Sequence, residues 1–193
     1  MTQHEQNQFR ILTVSTANVC RSPAMEMLLR WGLRGVTDIA IASVGTAADI
    51  GKPVDPIMAG LLDQGGLLIE GFHSRQVHVR ILERADLILC ATRRHRTDVM
   101  TMSPSSVRRT FTLREIARLA PAVDQQSMPR PDVVTPSERI RSAMPLLRLE
   151  RGAHVAKRPE DDDVEDPTGR SLEHHQKALD QMLPGVEALL ALT

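Results

Sequence analysis

The chain has 193 residues, and its 24 Lys and Arg balance 24 Asp and Glu, so the formal net charge is zero. This length suits one domain with a proper core, and the neutral balance gives no strong field that would favour nucleic acid or an anionic membrane surface as a partner. Two cysteines, Cys20 and Cys90, are too few for a disulfide scaffold and indicate a reducing compartment. Because there is neither a signal-peptide pattern nor an apolar run near the ~18 residues of a membrane span, we expect a cytoplasmic protein.

Apolar periodicity predicts alternating strands and helices through the first half of the chain, after residues 1–8, which we expect to be disordered. The predicted elements are a strand over 9–14, a loop over 15–21, a helix over 23–33, a strand over 39–43, a loop over 44–56, and helices over 56–64 and 79–83. Small residues and prolines lie at the ends of most of these segments, which supports the predicted boundaries.

The second half continues the alternation. It predicts a strand over 85–91, a basic helix over 93–100, a strand over Val107–Phe111, and helices over 113–120, 136–150 and 171–192, with Thr112 as an N-cap. Residues 121–160 are otherwise irregular or an additional helical insertion. Strands that alternate with helices indicate βαβ units, so the prediction is a single α/β domain over 1–193, with a parallel sheet of about four strands and helices on both faces.

The junction between the first strand and the first helix, V-S-T-A-N-V-C-R-S-P from Val14 to Pro23, has the features of an anion site. Backbone N–H groups at a helix N-terminus lack internal partners, and loop amides arranged as a nest can surround a phosphate. Arg21 adds a charged fork that binds two oxygens at once. A generic strand-to-helix turn is the alternative, but the combination favours a phosphate-binding loop made by Thr16, Ala17, Asn18, Val19, Cys20, Arg21 and Ser22.

Five residues separate position 15 from Arg21, the C-x5-R spacing of cysteine-dependent phosphatases. The stretch resembles the bacterial type of the low-molecular-weight protein tyrosine phosphatase family, whose loop reads roughly V-C-x-G-N-x-C-R-S-P. Segments 43–46 (S-V-G-T) and 73–76 (H-S-R-Q) have counterparts in that family too. Ala17 stands where the family usually has glycine, and Ser15 stands where it has the nucleophilic cysteine.

Asp166 and Pro167 occupy the place of the D-P segment that carries the family's general acid, just before the last helix. Expulsion of an alkoxide or phenoxide from a phosphomonoester needs a proton donor, which a carboxylic acid supplies. The alternative is that Asp166 merely ends the solvated acidic run 160–166. The resemblance implies a catalytic set of Ser15, Arg21 and Asp166, with no metal or other cofactor. Histidines 73, 78, 95, 174 and 175 lack a metal-ligand pattern and are expected at the surface or in hydrogen bonds.

Ser15 decides what chemistry to expect. A thiolate forms at accessible pH and is a good nucleophile, whereas a serine hydroxyl needs a base, and the loop sequence contains neither His nor Lys. The chain as written should therefore bind phosphate and turn over extremely slowly or not at all. Ser15 marks either a Cys-to-Ser variant of a phosphatase or a natural pseudophosphatase that binds phosphate or phosphopeptides. Retention of Asp166 favours the first.

The expected ligand is a phosphorylated protein or a small phosphomonoester, with phosphate or another oxyanion in the loop and no nucleic acid or membrane. Family members that prefer phosphotyrosine line the cleft with aromatics, including the residue after D-P, but that residue is Thr168 here. Related phosphoarginine phosphatases carry threonine at the position of Val19, which therefore resembles the tyrosine type more closely. An arsenate reductase-like protein is a third alternative, but it needs more shuttling cysteines than Cys20 and Cys90.

Overall fold

A four-stranded parallel sheet forms the centre of the part of the chain described in the computed structural model, residues 8–67 and 69–193. The strands are β1 (Phe9–Ser15), β2 (Ile39–Gly45), β3 (Leu87–Cys90) and β4 (Thr110–Thr112), in the order β2-β1-β3-β4. The disorder predicted for residues 1–8 lies, apart from Gln8, outside these described residues.

β1 lies in the interior of the sheet, and this position determines where the loop that follows it emerges. It pairs with β2 from Phe9↔Ile39 to Ser15↔Gly45, and with β3 from Ile11↔Leu87 onward. A parallel strand covered on both faces is expected to be mainly apolar, and four of the seven residues of β1 are apolar, the exceptions being Arg10, Thr13 and Ser15. Because β1 has a neighbour on each side, the loop that follows Ser15 emerges between the carboxyl ends of β2 and β3, where open α/β sheets bind ligands.

Helices cover both faces of the sheet, as predicted. They are α1 (Arg21–Gly32), α2 (Pro56–Gln64), α3 (Val79–Arg84), α4 (Arg93–Met102), α5 (Leu113–Leu119), α6 (Pro136–Glu150) and α7 (Leu172–Leu190). One apolar cluster packs alternate residues of β1, such as Ile11, with α1, α5 and α7. The other packs Leu12 and Val14 with Leu82 of α3 and Val99 of α4. The single α/β domain with a four-stranded parallel sheet is therefore confirmed.

Two helix predictions agree closely with the structure. α6 spans the predicted range and buries Ile140, Met144 and Leu147 on one face. Thr112 caps α5, since its Oγ1 accepts from the Glu115 N–H at 3.0 Å and the Glu115 carboxylate accepts from the Thr112 N–H at 3.2 Å. Within the described residues, no helix combines the length and the apolar character required to cross a membrane.

The strand predicted over Val107–Phe111 begins too early, since only Thr110 and Phe111 of that range belong to a strand. Residues Pro104–Arg109 form a 3₁₀ helix, and β4 is confined to Thr110–Thr112. Pro104 starts the turn, and side-chain hydroxyls then close it, with Ser106 Oγ donating to the Ser103 carbonyl at 2.6 Å. The helix predicted from residue 23 begins instead at Arg21, so the arginine belongs to its first turn.

Candidate active site

The loop between β1 and α1 presents its backbone N–H groups to a small pocket. N–H groups from residues 46–55 donate to the carbonyls of Ser15, Thr16, Ala17 and Val19 at 2.7–3.1 Å. The C=O and N–H of a trans peptide unit point in opposite directions, so the N–H groups of residues 16, 17, 18 and 20 face away from segment 46–55. None of them donates to an acceptor in the described part of the chain. This arrangement is a nest of free donors.

Asn18 and Ser22 fix the position of Ser15 beneath this nest. Asn18 is fully buried in the left-handed region, with φ 57°, where Asn is tolerated better than most residues. Its amide nitrogen donates to Ser22 Oγ at 2.9 Å, and its carbonyl oxygen accepts from the Arg75 N–H at 2.7 Å. Ser22 Oγ lies 2.7 Å from Ser15 Oγ, which also accepts from the Ser22 N–H at 3.3 Å. Two donors, Ser22 Oγ and the Ser22 N–H, are therefore positioned to hydrogen-bond a nucleophile at position 15.

Arg21 and Asp166 meet at the mouth of the pocket. The Arg21 guanidinium, in a residue only 5% exposed, donates to Asp166 Oδ2 at 2.5 Å and to the Val164 carbonyl at 3.3 Å. Burial lowers the pKa of Arg21, and the Asp166 carboxylate opposes that shift. The Asp166 side chain is 47% exposed. A phosphate in the loop would compete with Asp166 for the guanidinium and release the carboxyl toward a leaving group.

The acidic run that precedes Asp166 is not a free solvated segment. Asp162 pairs with Arg118 at 2.7 Å, and Asp163 accepts from the Arg93 N–H at 2.7 Å. The Val164 N–H donates to the Ala91 carbonyl at 2.8 Å, which fixes the segment beside the end of β3. Two consecutive anchors on α4 and α5, followed by this backbone bond, bring Asp166 to Arg21.

His95 takes part in the site, although the sequence predicted for it only a position at the surface or in hydrogen bonds. It is 4% exposed, and its Nε2 lies 2.8 Å from Thr16 Oγ1 in the phosphate-type loop. Its Nδ1 lies 2.8 Å from Oγ1 of Thr92, the N-cap of α4. Burial, followed by the charge of Arg21, lowers the pKa of His95 to about 4. A neutral imidazole therefore connects α4 to the loop. A T-x-x-H pattern directly after a buried strand is the signal that could have identified it.

We expect the buried neutral His95 to produce a distinct pH dependence of stability. The unfolded chain binds a proton near the ordinary value of 6.5, whereas the folded protein resists protonation down to about 4. The stabilisation is therefore present above pH ~6.5 and is lost as the pH falls toward ~4, by about 3 kcal/mol at most. We compare urea denaturation of the unsubstituted protein and of His95→Asn from pH 4 to 7. As the pH falls, the free energy of unfolding should decline more steeply for the unsubstituted protein than for His95→Asn. Parallel curves would contradict this assignment.

Gly45 allows the loop to lie close to the end of β2. A Cβ at this position would be 2.4 Å from the Thr16 carbonyl oxygen and 3.0 Å from the Ala48 Cα, both backbone atoms. We expect Gly45→Ala to displace Thr16, to lower stability by about 1–3 kcal/mol and to weaken orthophosphate binding by about tenfold or more. Thermal unfolding and calorimetric titration measure both. Gly60→Ala is the matched control, because a Cβ added there in α2 would meet no atom within 4 Å beyond its adjacent residues and the backbone of its own helix. If Gly45→Ala and Gly60→Ala had the same stability and the same orthophosphate affinity, the close approach at Gly45 would not matter to the loop.

The structure brings almost all the residues predicted for the site into one pocket. A cavity of about 160 Å³ is lined by Ser15, Thr16, Ala17, Asn18, Val19, Cys20, Arg21, Asp166 and Thr168. Ser22 lies behind it. A wider cleft shares Thr16, Arg21 and Asp166 and continues past Arg94 and Asp98. In the described residues no Phe, Tyr or Trp side chain lines either space, although the imidazole of His95 lines the wider cleft.

The two cysteines are poorly suited to redox chemistry. Burial and the nearby Asp55 carboxylate raise the pKa of Cys20 to about 12, and burial also raises the pKa of Cys90. Both thiols therefore stay protonated near neutral pH, and a protonated thiol is a weak nucleophile. This argues against the arsenate reductase-like alternative, which requires reactive thiolates.

Comparisons with known proteins identify the family. The family model described as low molecular weight phosphotyrosine protein phosphatase matches residues 10–138. The chain is similar to the low molecular weight protein-tyrosine-phosphatase Wzb of Salmonella typhi, at 36% identity over 95 residues, which are 49% of this chain and 62% of Wzb.

Solved structures share the fold over almost the whole chain. Vibrio vulnificus Wzb in complex with benzylphosphonate superposes with a TM-score of 0.66 at 20% identity, covering 95% of this chain and 98% of that one. A Cys-to-Ser mutant of the YwlE arginine phosphatase with a phosphorylated active-site serine gives a TM-score of 0.67 at 22% identity, covering 95% and 94%. At these identities the superpositions establish the fold.

Proposed function

The chain belongs to the low molecular weight phosphotyrosine protein phosphatase family, and on that premise we propose that loop 15–21 binds the phosphoryl group of a phosphomonoester. The single observation that carries the proposal is the set of inward-facing backbone N–H groups together with Arg21, since these donors match the equatorial oxygens of a transferring phosphoryl group. The proposed activity is that of a phosphotyrosine-type hydrolase whose nucleophile position holds Ser15.

With cysteine at position 15, hydrolysis would run in two steps. The thiolate attacks phosphorus, the P–S bond forms and the ester P–O bond breaks, while Asp166 gives its proton to the leaving oxygen. Asp166 then removes a proton from water, which attacks phosphorus and breaks the P–S bond. The donors from Ser22 and the nest stabilise the thiolate and lower its pKa.

With Ser15, the same site should bind phosphate without sustained turnover. The groups that hydrogen-bond Ser15 Oγ are another hydroxyl and a backbone N–H, and neither is a base. The serine phosphorylated in the YwlE mutant supports a trapped form. Here Ser15 Oγ would attack phosphorus and lose its proton to solvent, the ester P–O bond would break as Asp166 gives its proton to the leaving oxygen, and the new P–O bond to Ser15 would persist. The alternative use of such a site is a module that recognises phosphate or phosphopeptides and does not cleave them.

The substrate is proposed to depend on the phosphoryl group more than on an aromatic ring. Thr168 and Val19 border the pocket, and its lining offers no ring for stacking. Phenyl phosphate and an alkyl phosphate should therefore bind with similar affinity. A phosphorylated protein remains the proposed natural ligand class.

The test uses the chain with Ser15 present. Calorimetry should show one saturable orthophosphate site, and incubation with p-nitrophenyl phosphate should release at most one equivalent of p-nitrophenol. Intact-mass analysis then reports whether one phosphoryl group stays on Ser15 (a trapped phosphatase) or none does (a binding module). The absence of saturable phosphate binding would overturn the proposed function in both forms.

A further inference from the structure

A second, strongly basic groove lies at the opposite end of the sheet from the candidate active site. Its cationic residues come from the end of α3, from the 3₁₀ helix before β4 and from α6, and they are Arg84, Arg108, Arg109, Arg141 and Arg148. Asp86 and Glu83 are the carboxylates among its lining residues, which leaves a formal excess of three positive charges around about 370 Å³. Because Ala85 and Arg109 precede β3 and β4, the groove is at the amino end of these parallel strands, whereas loop 15–21 follows the carboxyl end of β1.

The positive charge of this groove is largely uncompensated. Arg109 donates to the carbonyls of Ser105 and Leu82 at 3.1 and 3.4 Å, and Arg148 donates to the Arg108 carbonyl at 3.0 Å. Neutral carbonyl groups position these guanidinium groups without cancelling their charge. In addition, Arg109 Nε is buried without any hydrogen-bond partner in the described residues.

Arg84 and Arg108 are available as well, whereas Arg141 is paired with Asp86. The side chains of Arg84 and Arg108 are exposed and have no acceptor within residues 8–67 and 69–193. Asp86 is already occupied, accepting from the Arg10 N–H at 2.9 Å and from Arg141 at 3.1 Å.

Several arginines elsewhere in the chain are paired with carboxylates. Arg96 and Arg151 share the buried carboxylate of Glu115, and Arg118 binds Asp162. The overall net charge is zero, so the basic groove reflects local segregation of charge and not a generally basic protein. Such segregation costs folding free energy through self-repulsion, which an anionic ligand would offset.

We propose that the basic groove binds a ligand that carries two or more closely spaced phosphate groups. Planar guanidinium forks bind phosphate oxygens in pairs, and several forks around one small volume suit a compact multiple anion better than the single charge of one carboxylate. The ligand is either a free oligophosphate or a multiply phosphorylated protein segment. The inference does not rest on the function proposed for loop 15–21.

The experiment separates the two sites. Tripolyphosphate is titrated calorimetrically into Arg21→Lys, in which the loop is impaired, and we expect one salt-sensitive site that binds orthophosphate at least about tenfold more weakly. Adding Arg84→Glu and Arg108→Glu should weaken tripolyphosphate binding by about tenfold or more. The matched control adds Arg34→Glu and Arg130→Glu, which reverse two exposed arginines outside the groove. Thermal unfolding checks that all three proteins are folded.

Three outcomes overturn the proposal: no tripolyphosphate binding to Arg21→Lys, equal binding by the groove variant and its control, or equally tight binding of a short poly-glutamate peptide. A doubly phosphorylated peptide is the second probe. If it binds as well as tripolyphosphate or better, the result supports a phosphoprotein segment as the ligand, whereas binding of tripolyphosphate alone supports a free oligophosphate. Failure of orthophosphate to bind loop 15–21 would leave these expectations unchanged.

Discussion

Ser15→Cys should raise the steady-state hydrolysis of p-nitrophenyl phosphate by at least about a thousandfold, because it adds the missing nucleophile to a site that is otherwise assembled. Ser22 Oγ and the Ser22 N–H already contact the side-chain atom at position 15. The inward-facing N–H groups and Arg21 would stabilise the thiolate and the transferring phosphoryl group alike. Initial rates of p-nitrophenol release measure the gain, and mass spectrometry of the quenched reaction should detect a phosphocysteine.

The control for this result is the double variant Ser15→Cys/Asp166→Asn. Loss of the proton donor should lower kcat by about 10²–10⁴ on an aryl phosphate, and by more on an alkyl phosphate, whose leaving group is more basic. Asp161→Asn is the matched change in the same acidic run, since Asp161 binds the exposed Arg158 and not Arg21. If Ser15→Cys is folded, binds phosphate and still hydrolyses neither phosphate ester, the site is a recognition module.

Arg21→Lys should weaken orthophosphate binding by about 100-fold even though the charge is kept. Lysine cannot present two coplanar N–H donors to two phosphate oxygens as arginine does. The Arg21 guanidinium is held in place by its hydrogen bonds to Asp166 and to the Val164 carbonyl. The same substitution should lower stability by about 1–3 kcal/mol, because the Val164 carbonyl and Asp166 lose a buried donor. Calorimetric titration and urea denaturation of the two proteins measure these effects.

Arg158→Lys is the matched control for that substitution. Arg158 also pairs with an aspartate, Asp161, at 2.7 Å, but its side chain is 71% exposed. Solvent screens exposed ion pairs and leaves them little net effect, so neither phosphate affinity nor stability should change appreciably. Comparable phosphate affinity of Arg21→Lys and Arg158→Lys would show that Arg21 does not contact the anion.

Local sequence determined β1, the loop that follows it and the start of α1. The apolar run of β1, the small-residue loop and the start of α1 are contiguous, so their hydrogen-bond requirements can be inferred from neighbouring residues alone. The alternation of strands and helices likewise predicts the parallel sheet, because a parallel connection needs a crossover. The start of the strand predicted over Val107–Phe111 was misplaced, because the prediction used apolar periodicity alone. The hydroxyl side chains of Ser106 and Thr110 close a turn that apolar periodicity does not predict.

The tertiary structure decided how distant residues meet at the site and where charge accumulates; Asp166 was expected there from the family resemblance, whereas His95 was not. His95 contacts Thr16 across 79 residues, and Asp166 reaches Arg21 across 145. Both contacts depend on the strand order β2-β1-β3-β4, which places the ends of β1 and β3 side by side. The basic groove likewise joins α3, α6 and the residues before β4. Separation along the chain carries no information about such contacts, since they follow from strand order and helix packing.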